Sequence, residues 1–283
     1  MPVYIRSRMI MYIVKDIYLI IALSIFISLV LLGIIGSSMI RNPLRIIGGR
    51  LEPPSSKHLL GTDSLGRDIF AQIVHGIKNS IAVGLLAAVI GISIALTLGL
   101  LSGFLKATML GMLLNALIDI FLLIPGLPLL LLLSAIIRIR SMILVATLIG
   151  TIFAWPAPSR AIRALALTLS EREFISLAKI SGKNTFDIAF KEITPLMAPY
   201  VLLQFTAMYA SAIFSEAGIS LLGLGPTNVV TLGWVLNQAL VMNAFVVRAW
   251  WWFIPAGAML SLLVLSLYSI PLIVSRKLQL LRV

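Results

Sequence analysis

The sequence predicts an all-α membrane protein with about six transmembrane helices. Of its 283 residues, 60% are hydrophobic and 11% are charged, and the mean hydropathy is +1.09. These values lie outside the range of soluble globular domains. The apolar residues form long continuous runs, whereas the strands of a membrane barrel would alternate apolar and polar residues. We therefore expect a single transmembrane domain over residues 1–283.

The apolar runs have roughly the length of about 20 residues that a helix needs to cross the hydrocarbon core of a bilayer. The first run follows Arg6, Arg8 and Lys15. It is longer than the apolar region of a signal peptide, about 7–15 residues, so we expect a retained helix. The fourth run is the shortest. The predicted spans are residues 17–40, 80–103, 108–136, 141–157, 196–222 and 250–274.

The net charge of +12 arises from 22 basic and 10 acidic residues, and the basic residues lie mainly at the ends of apolar runs. This placement is typical of the flanks of membrane helices, so we expect contact with lipid and not with nucleic acid. More than half of the basic residues lie in the cytoplasm if both termini are there. The charge bias therefore favours cytoplasmic termini in a multi-pass protein of the cell (plasma) membrane.

Metal and thiol chemistry are not expected in this chain. It has no Cys, which excludes disulfides and cysteine-ligated metals. Its two histidines, His58 and His75, lack the spacing of metal ligands, so no metal site is predicted.

Two polar segments interrupt the apolar pattern, and the first is residues 41–79, which we expect on the extracellular side. Its prolines and glycines exclude a continuous helix. Asp63 or Ser64 could cap a short amphipathic helix that ends near Gly76. Such a helix would lie on the outer surface of the membrane.

The second polar segment, residues 158–196, is expected in the cytoplasm. Ser170 and Glu173 have the spacing of a capping box, which predicts a short helix to about Ile180. Gly182 is suited to a left-handed C-cap, and Asn184 can cap a second short helix. The next spanning helix is predicted to begin at 194–195, where a threonine N-cap precedes a proline.

The two short helices form a predicted helix–turn–helix whose apolar residues keep helical spacing. Phe174, Ala178, Phe186 and Phe190 are expected to be exposed on it. An amphipathic helix can also lie on the bilayer, but two capped helices between spans favour a docking surface for a soluble partner.

Two acidic residues lie within predicted spans, Asp119 in the third and Glu216 in the fifth. A charged group at the bilayer centre is costly, so both side chains are expected to face the bundle or a wet cavity. One interpretation is a role in the translocation pathway or its gate. The alternative is a hydrogen bond between helices or, for Glu216, an interfacial position.

No catalytic or nucleotide-binding motif is present in the sequence. Gly182-Lys183 is followed by Asn184 and lacks the upstream glycine of a phosphate-binding loop. We therefore expect no enzyme activity and no bound cofactor in this chain. If transport is active, another subunit supplies the energy.

The segment 171–195 resembles the EAA loop of ABC-transporter permease subunits. The resemblance is carried by Ala178, Gly182, Ile193 and Pro195, whereas Ser176 and Leu177 replace the usual Glu and Ala. It implies docking into a groove of a cytoplasmic ATPase, without the salt link that the missing Glu would make. The candidate ATPase-coupling residues are Phe174, Ser176, Ala178, Gly182, Phe186, Phe190 and Pro195.

Two further stretches resemble the "C" permeases of dipeptide, oligopeptide and nickel importers. Residues 215–225, with Glu216, are similar to the E-A-x-L-S-F-L-G-L-G block, and the order and spacing of the stretches also match across roughly residues 55–260. The segment 58–68 is similar to the signature H-x-L-G-T-D-x-x-G-R-D at His58, Gly61, Thr62, Asp63, Gly66, Arg67 and Asp68.

The resemblance implies the permease subunit of a binding-protein-dependent ABC importer of the dipeptide and oligopeptide class, forming half of the translocation pathway. Its implied partners are a second homologous permease, two cytoplasmic ATPase subunits that bind ATP and Mg, and an extracellular solute-binding protein. The same architecture could instead import nickel or short oligosaccharides. A more remote alternative is an intramembrane enzyme or a membrane assembly factor.

Overall fold

The computed structural model describes the backbone of residues 2–40, 42–137, 141–226 and 228–280. Its helices are α1 (Pro2–Leu31), α2 (Ile69–Phe104), α3 (Met109–Leu123), α4 (Gly126–Ile137), α5 (Met142–Leu148), α6 (Pro156–Ser170), α7 (Glu173–Ile180), α8 (Thr194–Leu221), α9 (Leu232–Val241) and α10 (Trp250–Leu280). Three π-helical stretches adjoin them, at Leu32–Gly36, Ile149–Ala154 and Ile188–Ile193. Single helical turns occupy Ser37–Met39 and Thr185–Asp187.

The described residues contain four helical stretches long and apolar enough to cross a membrane, Ile17–Met39, Ile69–Phe104, Ile188–Leu221 and Trp250–Val274. Two more apolar stretches are bent pairs of helices. The angle is 80° between α3 and α4, and 50° between Met142–Ala154 and α6. Counting each bent pair as one span gives six, which agrees with the predicted all-α membrane fold.

Prolines account for the two bends. Pro125 follows Ile124, whose ψ of 124° is extended, because the proline ring disfavours the helical conformation of the preceding residue. At the second bend the π-helix ends at Ala154 and α6 begins at Pro156. The missing proline N–H interrupts the helical hydrogen bonds there.

α2 starts earlier than predicted, at Ile69 instead of residue 80. Its N-cap is Asp68, whose side chain accepts a hydrogen bond from the backbone N of Ala71 at 2.8 Å. The prediction of a separate surface helix ending near Gly76 is therefore wrong, because these residues form the first two turns of a span. Their apolar face, including Ile73, is buried against protein, and the sequence pattern could not distinguish this from burial in lipid.

α2 is the central helix and contacts α3, α5, α6, α8, α9 and the π-helix Ile149–Ala154. Its glycines allow the closest approaches. A Cβ atom on Gly99 would lie 3.0 Å from Ile162 Cβ, and one on Gly103 would lie 2.8 Å from the carbonyl oxygen of Arg163. The two glycines are spaced as in membrane helices that pack at short backbone distance. They set the contact between α2 and α6.

The predicted start of α7 at Ser170 is wrong. Ser170 is the last residue of α6, and its hydroxyl donates to the carbonyl oxygen of Leu167 at 2.7 Å. α6 therefore occupies much of the first half of the segment predicted as a loop. The capping-box pattern failed because the serine side chain bonds back into the preceding helix, a competing local interaction of this residue type.

The predicted start of α8 at residues 194–195 is confirmed, but the predicted threonine N-cap is wrong. Thr194 has helical backbone angles, and its hydroxyl donates to the carbonyl oxygen of Ala189 at 3.0 Å. The π-helix Ile188–Ile193 joins the short turn Thr185–Asp187 to α8 without a break. The wider π-helix before Pro195 accommodates a residue that cannot donate a helical hydrogen bond.

The predicted orientation of the chain in the membrane stays a prediction. Six of the thirteen basic residues on the predicted cytoplasmic side lie near the termini, and the structure does not describe their side chains. They are Arg6, Arg8, Lys15, Arg276, Lys277 and Arg282.

We expect Gly99→Ala to destabilise the protein by about 1–3 kcal/mol, because the added methyl overpacks the contact between α2 and α6. Gly257→Ala is a matched control, since a Cβ atom there meets nothing within 4 Å. Thermal unfolding of both variants in the same detergent measures the effect. Equal melting temperatures would contradict the role of Gly99.

Candidate functional site

Residues 42–68 fold into a polar cluster against the first turns of α2, and the cluster is centred on Asp63. This side chain is fully buried. It accepts hydrogen bonds from the backbone N atoms of Leu65 and Arg67 at 2.8 and 2.9 Å, from Arg67 Nε at 2.6 Å and from Gln72 Nε2 at 2.8 Å. Asp63 and Arg67 thus form a buried ion pair. A buried carboxylate needs such donors to offset its lost hydration.

The cluster is tied to the bundle through aromatic side chains. The guanidinium carbon of Arg67 lies 5.3 Å from the ring centroid of Trp234 on α9. The carbonyl oxygen of Thr62 accepts a hydrogen bond from Trp251 Nε1 on α10 at 3.4 Å. The same threonine donates its hydroxyl to Gly49 at 2.7 Å. Together with the hydrogen bond from Gln72 of α2 to Asp63, these contacts join the cluster to three helices.

His58 is buried and links the cluster to the cap of α2. Its Nδ1 lies 3.0 Å from Asp68 Oδ2, while Asp68 Oδ1 accepts the hydrogen bond that caps the helix. Its Nε2 is 3.8 Å from a carboxylate oxygen of Glu52. The imidazole therefore holds the capping carboxylate in place, and the contact is local to the cluster.

Gly61 and Gly66 are required by the backbone of the cluster. Their φ angles are +69° and +79°, in the left-handed region that favours glycine. A Cβ atom on Gly66 would overlap the carbonyl oxygen of Gly48, and one on Gly61 would overlap that of Glu52. The structure thus brings together all seven signature residues, and each of them either makes a contact or forms a turn in the cluster.

Glu216 is fully buried between α2, α8 and α9. Its carboxylate accepts hydrogen bonds from the hydroxyls of Ser220 at 2.6 Å and Ser80 at 3.4 Å. Ser80 also accepts a hydrogen bond from the backbone N of Leu232 at 3.1 Å. The side chain has no exposed surface, and the bond to Ser80 joins α8 to α2, which agrees with the alternative of a hydrogen bond between helices. Its role as a gate stays a prediction.

Asp119 lies in a different environment from Glu216. It is half-buried on α3, and its Oδ2 accepts a hydrogen bond from Asn115 Nδ2 one turn earlier at 2.9 Å. The two acidic residues predicted for the pathway thus belong to separate parts of the bundle. The pathway role of Asp119 also stays a prediction.

The turn after α7 has the predicted caps. Gly182 has a φ of +80°, and the backbone N of Lys183 donates to the carbonyl oxygen of Ala178 at 3.2 Å. This six-to-one hydrogen bond is that of a Schellman motif with glycine at C′. Asn184 Oδ1 accepts from the backbone N of Asp187 at 2.7 Å, which confirms the predicted N-cap.

An apolar surface is exposed on both sides of this turn. Ser176 and Pro195 are also exposed, whereas Ala178 is only 9% exposed and packs in the cluster that contains Ile175 and Ile188. The expected exposure of Ala178 is therefore wrong, because it lies on the inner face of α7. We call the outer set the coupling face; its members are Phe174, Leu177, Ile180, Phe186 and Phe190.

Leu177 and Ile180 were not predicted as part of the coupling face. They are among its most exposed members, at 64% and 82%, compared with 38% for Phe174. Their signal was available, because positions 174, 177 and 180 recur at about one helical turn. The predicted exposed set, three phenylalanines and Ala178, therefore missed two aliphatic side chains of this face.

Most acidic residues near the coupling face are paired with lysines of the same chain. Asp187 bonds Lys191 at 2.5 Å, and Glu192 bonds Lys183. Lys106 Nζ lies 2.7 Å from Glu171 Oε1, and this hydrogen bond and charge lower the pKa of the Glu171 carboxyl below its usual value. These exposed pairs leave the apolar side chains as the dominant feature of the surface.

Comparison with known proteins identifies the class. Residues 95–280 match the family described as "Binding-protein-dependent transport system inner membrane component". The chain therefore belongs to this family and is a transporter permease subunit.

Individual relatives share most of the chain. It is 29% identical over 229 residues to an oligopeptide transport system permease protein of Lactococcus lactis, covering 80% of this chain and 76% of that protein. It is 31% identical over 216 residues to an oligopeptide permease protein of Mycobacterium tuberculosis, covering 76% and 73%. It is 36% identical over 203 residues to a di/tripeptide permease protein of Pseudomonas aeruginosa, covering 71% and 65%. These similarities agree with the resemblance to the "C" permeases.

We expect Glu216→Gln to be tolerated and Glu216→Ala to be destabilising. Glutamine keeps the shape and hydrogen-bonding capacity, whereas alanine leaves buried hydroxyls unpaired at a cost of about 1–3 kcal/mol. Thermal unfolding and transport by the assembled complex measure the two effects. Equal failure of both variants would indicate that the charge is needed, and normal behaviour of Glu216→Ala would exclude any role.

Proposed function

We propose that this chain is one of the two permease subunits of an ABC importer that takes up peptides. The relatives named above are oligopeptide and di/tripeptide permeases, and a further relative is named as a glutathione permease. The signature at 58–68 points to the same group of importers. Peptides are therefore favoured over nickel and short oligosaccharides as the cargo.

The observation that carries the proposal is the coupling face. Phe174, Leu177 and Phe186 are among its exposed apolar side chains, on short capped helices in a polar segment between spans. An apolar face of this kind is suited to a groove on a soluble partner. The sequence has no nucleotide-binding loop of its own, so the partner that fits is an ATPase subunit that binds ATP and Mg.

Ser176 stands where the family usually has an acidic residue, and it changes how the partner would bind. A hydroxyl cannot form a salt link with the ATPase. Lys183 and Lys191 form ion pairs with acidic residues of the same chain. We therefore expect apolar contacts to supply most of the affinity, with truncation of one central aromatic residue causing a large loss.

The helical connection beyond the coupling face gives it a mechanical role in the proposal. From Thr185 to Leu221 the chain is helical without interruption. Buried Ile188 and Ile193 anchor this stretch in the same cluster as Ile175 of α7. A force that ATP-driven closure applies at Phe186 would therefore move α8, and alternating access of the cargo pathway would follow.

The remaining partners and the orientation complete the proposal. A second homologous permease would supply the other half of the pathway, and a second ATPase subunit would bind to it. An extracellular solute-binding protein would deliver the cargo. Both termini and the coupling face would then be cytoplasmic, and residues 42–68 would be extracellular.

We expect Phe186→Asp to weaken the association with the ATPase subunit by about 2 kcal/mol or more, which is about 30-fold. The substitution places a charge on a side chain that is 60% exposed, so the subunit itself should still fold. The dissociation constant for the purified ATPase and peptide uptake by the complex measure the effect.

Phe186→Leu is the matched control, because it keeps an apolar side chain at the same position. It should retain most of the affinity and most of the uptake. Normal ATPase binding by Phe186→Asp would exclude the coupling face as the docking surface, whatever the cargo.

The orientation is tested with Leu59→Cys, since the chain has no cysteine of its own. Leu59 is 63% exposed and is a better probe than Ser64, whose hydroxyl oxygen is buried. A membrane-impermeant maleimide should label it in intact cells. Ala107→Cys, at an exposed position between α2 and α3 and outside the coupling face, is the control and should react only after the cytoplasmic side is opened. The reverse pattern would invert the proposed topology.

A further inference from the structure

A groove of about 340 Å³ lies between the bent span at Ala154 and Pro158, helix α8 and helix α10. Its polar groups are the amide of Gln204 and the hydroxyls of Ser211 and Tyr268. This volume falls within the range of about 300–1,000 Å³ that is typical of small-molecule sites. The groove is distinct from the coupling face and from the polar cluster of residues 42–68.

The groove lies within the membrane-spanning part of the bundle. Gln204 lies inside the predicted span of residues 196–222 and inside the apolar stretch Ile188–Leu221. Met208, another lining residue, packs on Gly91 in the interior of α2, where an added Cβ atom would lie 2.5 Å from its Cε. A partly exposed amide at this depth is costly against lipid. The groove is therefore better suited to water, cargo or protein than to acyl chains.

The hydrogen bonding of Gln204 leaves capacity for a ligand. Its Nε2 donates to the hydroxyl of Tyr200 at 2.9 Å. A glutamine amide has two N–H donors and a carbonyl acceptor, so this one bond uses a single donor. Tyr200, Gln204 and Ser211 recur at helical spacing and place polar groups along one side of α8.

The helix opposite Gln204 is broken beside the groove. The π-helix ends at Ala154, the span bends by 50°, and Pro158 follows. Proline cannot donate the helical hydrogen bond to the carbonyl four residues earlier, which for Pro158 is that of Ala154. Irregular backbone at membrane depth is tolerated where it lines a cavity, and broken helices near the midplane are typical of transport sites.

We propose that this groove is the cargo-contact site of the subunit and that it binds the main chain of a peptide. The inference rests on the proposed function and assigns its substrate contacts. None of the described lining residues is charged, and an amide and hydroxyls match the donors and acceptors of peptide units. The groove therefore recognises the main chain and accepts cargo side chains of either charge. Neither Asp119 nor Glu216 lines it.

The first test is the water accessibility of the groove in the assembled complex, with accessible cysteines removed from the other subunits. Gln204→Cys and Ser211→Cys probe the groove. Leu202→Cys and Phe214→Cys are matched controls on α8, where the native side chains are 61% and 63% exposed. Water-soluble methanethiosulfonates should label the groove positions at least about tenfold faster, because they react with the thiolate, which forms in water and not in lipid. Equal rates at all four positions would overturn the proposal.

The second test uses the permanent charge that the label leaves at position 204. A trimethylammonium adduct should slow uptake of Ala-Lys-Ala, and a sulfonate adduct should slow uptake of Ala-Glu-Ala, each by about tenfold relative to the other peptide. A purely structural role of Gln204 would not reverse the preference with the sign of the label. Unchanged uptake of both peptides by both adducts would exclude the groove from the pathway.

The wild-type complex separates the two proposals. If it imports neither tripeptide, peptide import itself fails, and with it the peptide assignment of the groove. If it imports both while the labelled variants show no charge preference, only the groove assignment fails. Import by the wild type together with the reversed preference supports both.

Discussion

The close contact of α2 with its neighbours is the constraint on which the rest of the fold depends. Without a hydrophobic drive between helices in lipid, packing at short backbone distance must hold the bundle together. Gly99 and Gly103 allow α6 to pack closely on α2, and Gly91 leaves room for Met208 of α8. α2 therefore holds both α6 and α8 in place. Movements of the coupling face and of the groove therefore take place relative to this central helix.

Polar groups near one end of the bundle join its elements. Asp63 takes its hydrogen bonds from its own turn, from Arg67 and from Gln72. Glu216 accepts hydrogen bonds from serine hydroxyls of α2 and α8. One of these serines, Ser80, also accepts a hydrogen bond from the backbone of α9. In a medium of low dielectric constant an unpaired carboxylate would be costly, so each site specifies one arrangement of its neighbours.

α8 connects the two sites that we propose to act in transport. Its helical stretch begins beside Phe186 on the coupling face and carries Gln204 in the groove near its middle. In the proposed mechanism, movement of the ATPase would therefore reach the cargo site through one continuous helix. The bent span on the other side of the groove has a π-helix and prolines, which make it the more deformable wall.

The sequence by itself determined the all-α membrane fold, because long apolar runs have few alternatives in a bilayer. It also determined the caps at Gly182 and Asn184, since these depend on the chemistry of single residues in a turn. Only the tertiary structure decided that α2 begins at Ile69, that Ala178 is buried and that Glu216 has no exposed surface. The tertiary structure also identified Gln204, an uncharged residue in an apolar run, as part of the groove. These properties depend on which face of a helix meets protein, water or lipid, and helical periodicity marks an apolar face without identifying what covers it.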